Sequence, residues 1–144
     1  MRGRRAYSCR FYQGNPKLRA RRQPLLSVAA MSQNPIRDFH AHIYFDADQL
    51  DRAEKLAHAA RERFNLRIGH FHTNPVGPHP RGSCQLTVLP EEFGDFAQWM
   101  ALNRDGLTIF AHTSTGSDYV DHTEHVIWFG PSEMLDLSIF DDGE

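Results

Sequence analysis

The sequence predicts an α+β domain in which an antiparallel β-sheet carries two helices on one face. Short stretches alternate between polar and apolar residues, two longer stretches have apolar residues at helical spacing, and the elements follow one another as β-α-β-β-α-β with one further strand. That order is the ferredoxin-like plan. The length of 144 residues fits one domain, and the 40% hydrophobic and 24% charged content is ordinary for a globular protein.

Five short stretches have the pattern of strands. In the first, His40, His42 and Tyr44 point to one side and the apolar residues between them to the other. The second strand is ambiguous, because both of its alternating sets contain an apolar residue. The predicted strands cover residues 40–48, 66–73, 83–90, 107–113 and 125–131. The residues predicted to form the core side are Ala41, Ile43, Phe45, Cys84, Leu86, Val88, Leu107, Ile109 and Ala111.

Two stretches predict helices on the core side of the sheet. Residues 47–65 place apolar residues near helical spacing with charged residues between them, and Asn65 is a suitable stop. Residues 90–104 begin with a proline followed by two glutamates, a pattern typical of a helix N-terminus. The stretches 74–82 and 113–124 predict loops. The acidic tail, residues 132–144, predicts a loosely held segment or an added edge strand.

The first 31 residues differ in charge from the rest of the chain. They contain eight basic residues and no acidic one, whereas the remainder contains eight basic and all 18 acidic residues. We favour non-native translation upstream of a true start at Met31, with an organelle transit peptide second. A nucleic-acid-binding arm comes last, because the acidic body would repel phosphate. We expect a disordered basic extension over residues 1–31 and the folded domain over residues 32–144.

Composition also limits the compartment and the partners. No run of 18 apolar residues occurs, so we expect no membrane-spanning helix. The two cysteines, Cys9 and Cys84, form no CxxC pair, which argues against a cysteine zinc site and suits a reducing compartment. We therefore expect a cytoplasmic protein that binds neither membrane nor nucleic acid.

Histidines are the most informative residues. Imidazole is the commonest protein metal ligand and the side chain that titrates near neutrality. In the ferredoxin-like plan, we expect the beginning of the first strand to lie near the ends of the second and fourth strands, on the face without helices. Six of the nine histidines form the three pairs His40/His42, His70/His72 and His122/His125, with His79 and His112 close by in the same motifs and only His58 apart.

The pattern predicts a metal centre or a histidine-based catalytic site, but it does not identify the metal. Three histidines with an open position suit catalytic zinc. Two histidines with one carboxylate suit non-haem iron. The carboxylate candidates are Asp118, Asp121 and Glu124, which lie in the predicted loop beside His122 and His125.

Four stretches resemble the DOPA 4,5-dioxygenase family. They are HAHIYFDAD, GHFHTNPVGPHPRGSCQLTV, WMALNRDGLTIFAHTSTGSD and DHTEHVIWFG, and together they span about residues 38–130. The resemblance implies a ferredoxin-like domain that is often dimeric, and extradiol opening of a catechol such as L-DOPA with non-haem ferrous iron and dioxygen. The histidines carried over by position are His40, His42, His72, His79, His112, His122 and His125. His70 stands where the family often has arginine, so we leave it out of the ligand set.

We predict the following roles, because ring opening needs a metal with vacant positions, a base for a catechol proton and an acid for O–O cleavage. The metal ligands are His42, His72 and His112, for Fe(II) with zinc as a substitute. The acid and base are His125 and His79. The substrate-binding residues are His40, Tyr44, Arg81 and His122, with Arg81 placed to bind a carboxylate in a bidentate way. The partners are a catechol, dioxygen and a second copy of the chain in a homodimer.

Two other classes of protein fit the same histidines. One is a non-catalytic ferredoxin-like dimer that binds a metal or a small ligand. The other is a zinc hydrolase or lyase. Fold alone does not separate these classes, because function resides in the site.

Overall fold

The computed structural model describes residues 34–140 of the chain. The predictions for residues 1–31, and for the last four residues, lie outside this range. The strands are β1 (Asp38–Phe45), β2 (Leu66–His72), β3 (Gly82–Val88), β4 (Thr108–Ser114) and β5 (Val126–Phe129). The α-helices are α1 (Leu50–Arg63), α2 (Pro90–Asn103) and α3 (Asp118–Thr123), and short 3₁₀ helices cover Ala47–Gln49 and Leu137–Phe140.

The five strands form one antiparallel sheet in the order β2-β3-β1-β4-β5. The first four strands have the ferredoxin-like arrangement, and β5 extends the sheet beside β4 as the extra strand. The predicted fold class is therefore confirmed. The register pairs His40 of β1 with His112 of β4, and His42 with Gln85 of β3.

The core lies between the sheet and the helices α1 and α2. All nine strand residues predicted for the core side are buried there. Helix α1 contributes small residues and one leucine, and α2 contributes two phenylalanines and a methionine, so the apolar stripe of each helix faces the sheet. The helix residues concerned are Ala53, Leu56, Ala57, Ala60, Phe93, Phe96 and Met100.

The opposite face of the sheet is partly covered, although we predicted helices on one face only. The stretch predicted as a loop contains α3, and the tail forms a 3₁₀ helix where we considered an edge strand. The tail reaches the loop between β2 and β3, where the amide of Asp136 donates to the carbonyl oxygen of Pro78 over 2.9 Å. As a result Tyr44 and Phe110, which point away from α1 and α2, are both fully buried.

Strand β2 contains a β-bulge that resolves the ambiguity of its sequence. Gly69 and His70 together lie opposite Gln85, between the pairs Ile68–Leu86 and Phe71–Cys84. The extra residue lets Ile68 and Phe71 both pack against the core while His70 and His72 both line the other face. Alternation alone does not allow this arrangement.

No helix among residues 34–140 has both the length and the apolar character that a membrane span requires.

We expect Gly82→Ala to destabilise the sheet. A Cβ atom at this position would lie 2.7 Å from the carbonyl oxygen of Phe45 and 3.1 Å from that of His72, and neither backbone atom can move freely. The free energy of unfolding should fall by about 1–3 kcal/mol, measured by urea denaturation.

The matched control is Gly94→Ala in helix α2, where nothing lies within 4 Å of the added Cβ. That change should raise stability by about 0.5–1 kcal/mol, because alanine favours a helix interior. Equal stability of the two variants would contradict the close approach at Gly82.

Candidate metal centre

Three histidines from two neighbouring strands lie together on the face opposite α1 and α2. His40 and His42 alternate along β1, and His112 lies directly across from His40 on β4. One ring nitrogen from each of the three lies within 4.8 Å of the others. His42 and His112 are buried, and His40 is half-buried. This group could hold a metal ion.

The distances and the protonation states suit such an ion. Nε2 of His42 lies 3.1 Å from Nε2 of His112, a separation that two nitrogens bound to one metal at about 2.1 Å can adopt. Burial lowers the pKa of His42 well below its usual value, and burial with the nearby His122 lowers the pKa of His112 to about 3. Both rings are therefore neutral at pH 7, as metal ligation requires.

The neighbours of His112 also set which of its nitrogens is available. Nδ1 of His112 lies 2.7 Å from the carbonyl oxygen of Thr113, and a carbonyl only accepts, so Nδ1 carries the proton and donates it. Nε2 therefore presents a lone pair toward His42. A ligating histidine commonly has its other nitrogen held in this way.

His122 is fixed by the same kind of contact. Nδ1 of His122 donates to the carbonyl oxygen of Asp118, one turn earlier in α3, over 2.7 Å. Its ring centroid lies 3.9 Å from that of His112. The Nε2 lone pair of His122 is thus available beside the three-histidine group.

His79 carries its proton on the other ring nitrogen, Nε2. The buried hydroxyl of Tyr44 lies 2.8 Å from Nδ1 of His79, and burial raises the pKa of Tyr44, so the phenol stays protonated. Within the described chain, His79 is the hydrogen-bond partner of this hydroxyl. A buried O–H needs an acceptor, so it donates to Nδ1, and the proton of the neutral His79 ring therefore lies on Nε2. Burial and the nearby His122 lower the pKa of His79 to about 4. Its ring lies 4.0 Å from that of His42.

Aromatic side chains surround these imidazoles. Phe110 lies among the rings of His42, His79, His112 and His122, with centroid distances of 5.5–6.2 Å. Phe140, in the C-terminal 3₁₀ helix, lies 4.9 Å from His122. Such contacts exclude water from that side and disfavour the protonated, charged form of the rings.

A buried carboxylate joins α3 to the end of β4. Asp121 is 2% exposed and accepts hydrogen bonds from the hydroxyls of Thr113 and Thr115 and from the amide of Thr115, at 2.6–2.8 Å. These donors hold its pKa far below the usual range, although burial opposes them. Asp121 precedes His122 and Thr113 follows His112, so this network fixes the two neighbouring rings relative to each other.

The predicted ligand His72 lies at the other end of the sheet. It pairs with Ser83, which pairs in turn with Tyr44, whereas His112 pairs with His40. We expected the end of the second strand to lie near the beginning of the first, and this was wrong, because β1 and β2 both run antiparallel to β3 and hence parallel to each other. Four residues along a strand is about 13 Å, too far for His72 and His112 to share an ion. In the three-histidine group, His40 stands in place of His72 as the third candidate ligand.

His125 and the candidate carboxylates also lie outside the three-histidine group. Nδ1 of His125 lies 3.3 Å from Asp121, and the residue lines a separate cavity beside β5. Asp121 is engaged by the two threonines. Within residues 34–140, the group that could hold a metal contains no carboxylate.

Arg81 is engaged by acidic side chains. Nε and Nη2 of Arg81 donate to the two carboxylate oxygens of Glu133 at 3.0 and 2.9 Å, and Nη1 donates to Asp46 at 3.2 Å. A substrate carboxylate would have to displace Glu133 from this bidentate pair. The guanidinium also lies over the ring of Tyr44, 5.8 Å from its centroid, so it supports the wall of the site.

Sequence reasoning missed three residues of this site. Asp38 lies 3.2 Å from Nε2 of His40 and favours a proton there, which leaves Nδ1 for an ion. The alternation of Asp38, His40 and His42 along one strand face could have revealed it. Glu133 and Phe140 come from the tail, and no local pattern connects them with the histidines.

The fold and these side chains define a small α+β protein with a group of three histidines that could hold a metal ion. The family model of the Dopa 4,5-dioxygenase family matches residues 39–139, and the chain belongs to that family. The resemblance seen in the sequence is thereby confirmed.

Individual relatives agree with this membership. An uncharacterized 21.2 kDa protein of Botryotinia fuckeliana is 34% identical over 70% of this chain, and DOPA 4,5-dioxygenase of Amanita muscaria is 27% identical over 81% of it. The matches span 62% and 55% of those two proteins. A crystal structure from Nostoc punctiforme, described as that of a candidate dioxygenase, is 36% identical and has a TM-score of 0.72, over 74% of this chain and 93% of that one.

We expect His112→Ala to lose metal while the protein stays folded. The substitution removes one of three nitrogens and leaves the core between sheet and helices intact. Metal content after incubation with Fe(II) under anaerobic conditions, measured by mass spectrometry, should fall at least tenfold. His58→Ala, at an exposed position of helix α1, is the matched control and should bind the same amount of iron as the unaltered protein. Retained iron in His112→Ala would remove this residue from the ligand set.

The pH dependence of stability should reveal the buried neutral imidazoles. The pKa values of His42, His79 and His112 are lowered, so below about 6.5 the unfolded chain binds protons that the folded protein does not. The contribution of these residues to stability should be nearly constant above pH 7 and fall as the pH drops from 7 to 5, by on the order of 1–2 kcal/mol for each such residue. Urea midpoints of chelator-treated protein measure the slope. His79→Gln should flatten it, and His58→Gln should leave it unchanged.

Proposed function

We propose that the protein is a non-haem iron-dependent extradiol dioxygenase that opens the ring of a catechol such as L-DOPA by 4,5-cleavage. The observation that carries this proposal is the convergence of three imidazoles, one ring nitrogen from each lying within 4.8 Å of the others. Membership of the Dopa 4,5-dioxygenase family supports it.

His40, His42 and His112 would hold the iron. Three protein ligands leave positions open for small molecules, which a larger ligand set would not. A bound ferrous ion supplies a path for electrons between a catechol and dioxygen, which react slowly with each other directly. Neutral histidines can bind either Fe(II) or zinc, so the metal has to be identified by measuring the metal content of the protein.

His122 would act as the base. Its Nδ1 is committed to the carbonyl oxygen of Asp118, so the free Nε2 carries a lone pair that can take a proton from a catechol hydroxyl. It lies beside His112 and against Phe140, in contact with the three-histidine group. We predicted His125 for acid–base work, and the geometry favours His122 in that role.

His79 would act as the acid. Because the Tyr44 hydroxyl donates to Nδ1, the Nε2 of His79 carries a proton that it can donate to an oxygen atom of the reacting molecules. As that proton leaves Nε2, Nδ1 would take the hydroxyl proton of Tyr44, so the ring stays neutral and the phenolate oxygen carries the negative charge until it is protonated again. Two histidines on either side of the three-histidine group thus have opposite proton roles.

The buried surroundings would protect the reaction from water. Phe110 and Phe140 cover one side of the imidazoles, and the loop carrying His79 covers another. The exclusion of water strengthens hydrogen bonds inside the site and prevents loss of reactive species to solvent.

The predicted cytoplasmic location and the predicted homodimer remain proposals. Light scattering, which measures the mass of the protein in solution, tests whether it is a dimer.

We expect iron-loaded protein to consume oxygen when it is given L-DOPA in air and to form a yellow product, with one dioxygen per catechol. His122→Gln should keep its iron and lose on the order of 10²–10⁴ in kcat, because a positioned proton acceptor contributes that much. His58→Gln is the matched control. Oxygen uptake is measured with an electrode and product by absorbance.

The same experiment separates the competing classes. The three-histidine set also suits catalytic zinc with one open position. Protein that takes up zinc and hydrolyses test esters, with no oxygen uptake on any catechol after iron loading, would support a zinc hydrolase. Iron binding with neither activity would support a non-catalytic binding protein.

A further inference from the structure

We propose that Arg67 is the residue that binds the carboxylate of the catechol substrate. The inference rests on the proposed function and deepens it, since it names a residue that would recognise the substrate. It departs from the sequence-based expectation, in which Arg81 had this role.

The cavity next to the histidines favours an anion. It has a volume of about 450 Å³ and is lined by His42 and His79 at one side and by Arg67, His70 and His72 of β2 at the other. Among the described residues, no aspartate or glutamate lines it. Arg67 is the residue with a permanent charge in this lining, so the cavity has a positive potential with no carboxylate to cancel it.

The register places Arg67 at a suitable distance from the metal ligands. Arg67 pairs with Thr87 of β3, and Thr87 pairs with His40 of β1. Arg67 therefore lies two strands from His40, about 10 Å between Cα atoms. A substituent that extends along this row from a catechol held at the three histidines would come within reach of the guanidinium.

The two arginines differ in their partners. Arg81 is bound in a bidentate pair by Glu133 and is further paired with Asp46. Arg67 is exposed and, within residues 34–140, has neither an ion pair nor a side-chain hydrogen bond. Its guanidinium therefore retains all five donors for a bidentate contact with a carboxylate, the geometry that arginine forms most readily.

The β-bulge in β2 contributes to the same surface. Gly69 lies so close to Gln85 that a Cβ atom there would be 3.2 Å from the carbonyl oxygen of Gln85. The bulge turns His70 toward the cavity together with His72, with their ring centroids 4.7 Å apart. Both rings can donate hydrogen bonds to the same anionic group.

The experiment compares three catechols with the iron-loaded protein: 3,4-dihydroxyphenylpropionate, which is anionic, 4-methylcatechol, which is neutral, and dopamine, which is cationic. Steady-state oxygen uptake gives KM and kcat for each. We expect the lowest KM for the anionic catechol. Arg67→Gln should raise that KM at least tenfold, leave kcat within about twofold, and leave KM for 4-methylcatechol unchanged.

Two further variants make the outcome specific. Arg61→Gln, an exposed arginine in the last turn of α1 on the other side of the sheet, is the matched control and should change nothing. Arg67→Lys should recover part of the discrimination, because it restores charge without the bidentate geometry.

The failure of this inference is distinct from the failure of the proposed function. Turnover of the anionic and neutral catechols with equal KM, or an unchanged KM in Arg67→Gln, would overturn the role of Arg67 while ring opening stands. If Arg81→Gln and not Arg67→Gln raised the KM, the sequence-based assignment would be restored. No oxygen uptake with any of the three catechols would overturn the proposed function, and the inference with it.

Discussion

The pairing of β1 with β4 is the constraint on which the rest of this site depends. Antiparallel register sets His40 directly opposite His112 and leaves His42 one pair further along on the same face. Because side chains alternate along a strand, a slip of one residue would turn the β1 histidines into the apolar core and its core residues outward. The nine apolar strand residues predicted for the core side therefore hold the imidazoles in place, although none of them belongs to the three-histidine group.

Burial gives these imidazoles their chemistry. A histidine in water is partly protonated near neutrality, whereas His42, His79 and His112 are kept neutral by desolvation and by neighbouring histidines. Backbone carbonyls and one phenol then decide which nitrogen of each ring keeps its proton. The Nε2 atoms of His112 and His122 thus present lone pairs to the site, whereas Nε2 of His79 presents an N–H group. That order follows from hydrogen bonds of 2.7–2.8 Å that need no ligand to be present.

Local patterns in the sequence were enough for the fold and for the face on which the histidines lie. Alternation located the core side of β1, β3 and β4, and the order of elements predicted the strand order. The sequence pattern failed where the answer depended on distant chain segments. The position of His72 follows from strand direction across the whole sheet, and the pairing of Arg81 with Glu133 joins residues 52 positions apart. His122 was placed in a loop, because a helix of six residues is too short to show a period.

The bulge at Gly69 and His70 has a consequence for how relatives of this chain can vary. Strand β2 serves two purposes, since Ile68 and Phe71 complete the core while His70 and His72 form a wall of the cavity. A chain shortened by one residue here would restore plain alternation and could keep only one of these arrangements. Such a chain would still form the sheet, yet the outer wall of its cavity would have a different set of polar groups. The length of β2 at this point would therefore change the polar groups that line the cavity, even where the neighbouring residues stay the same.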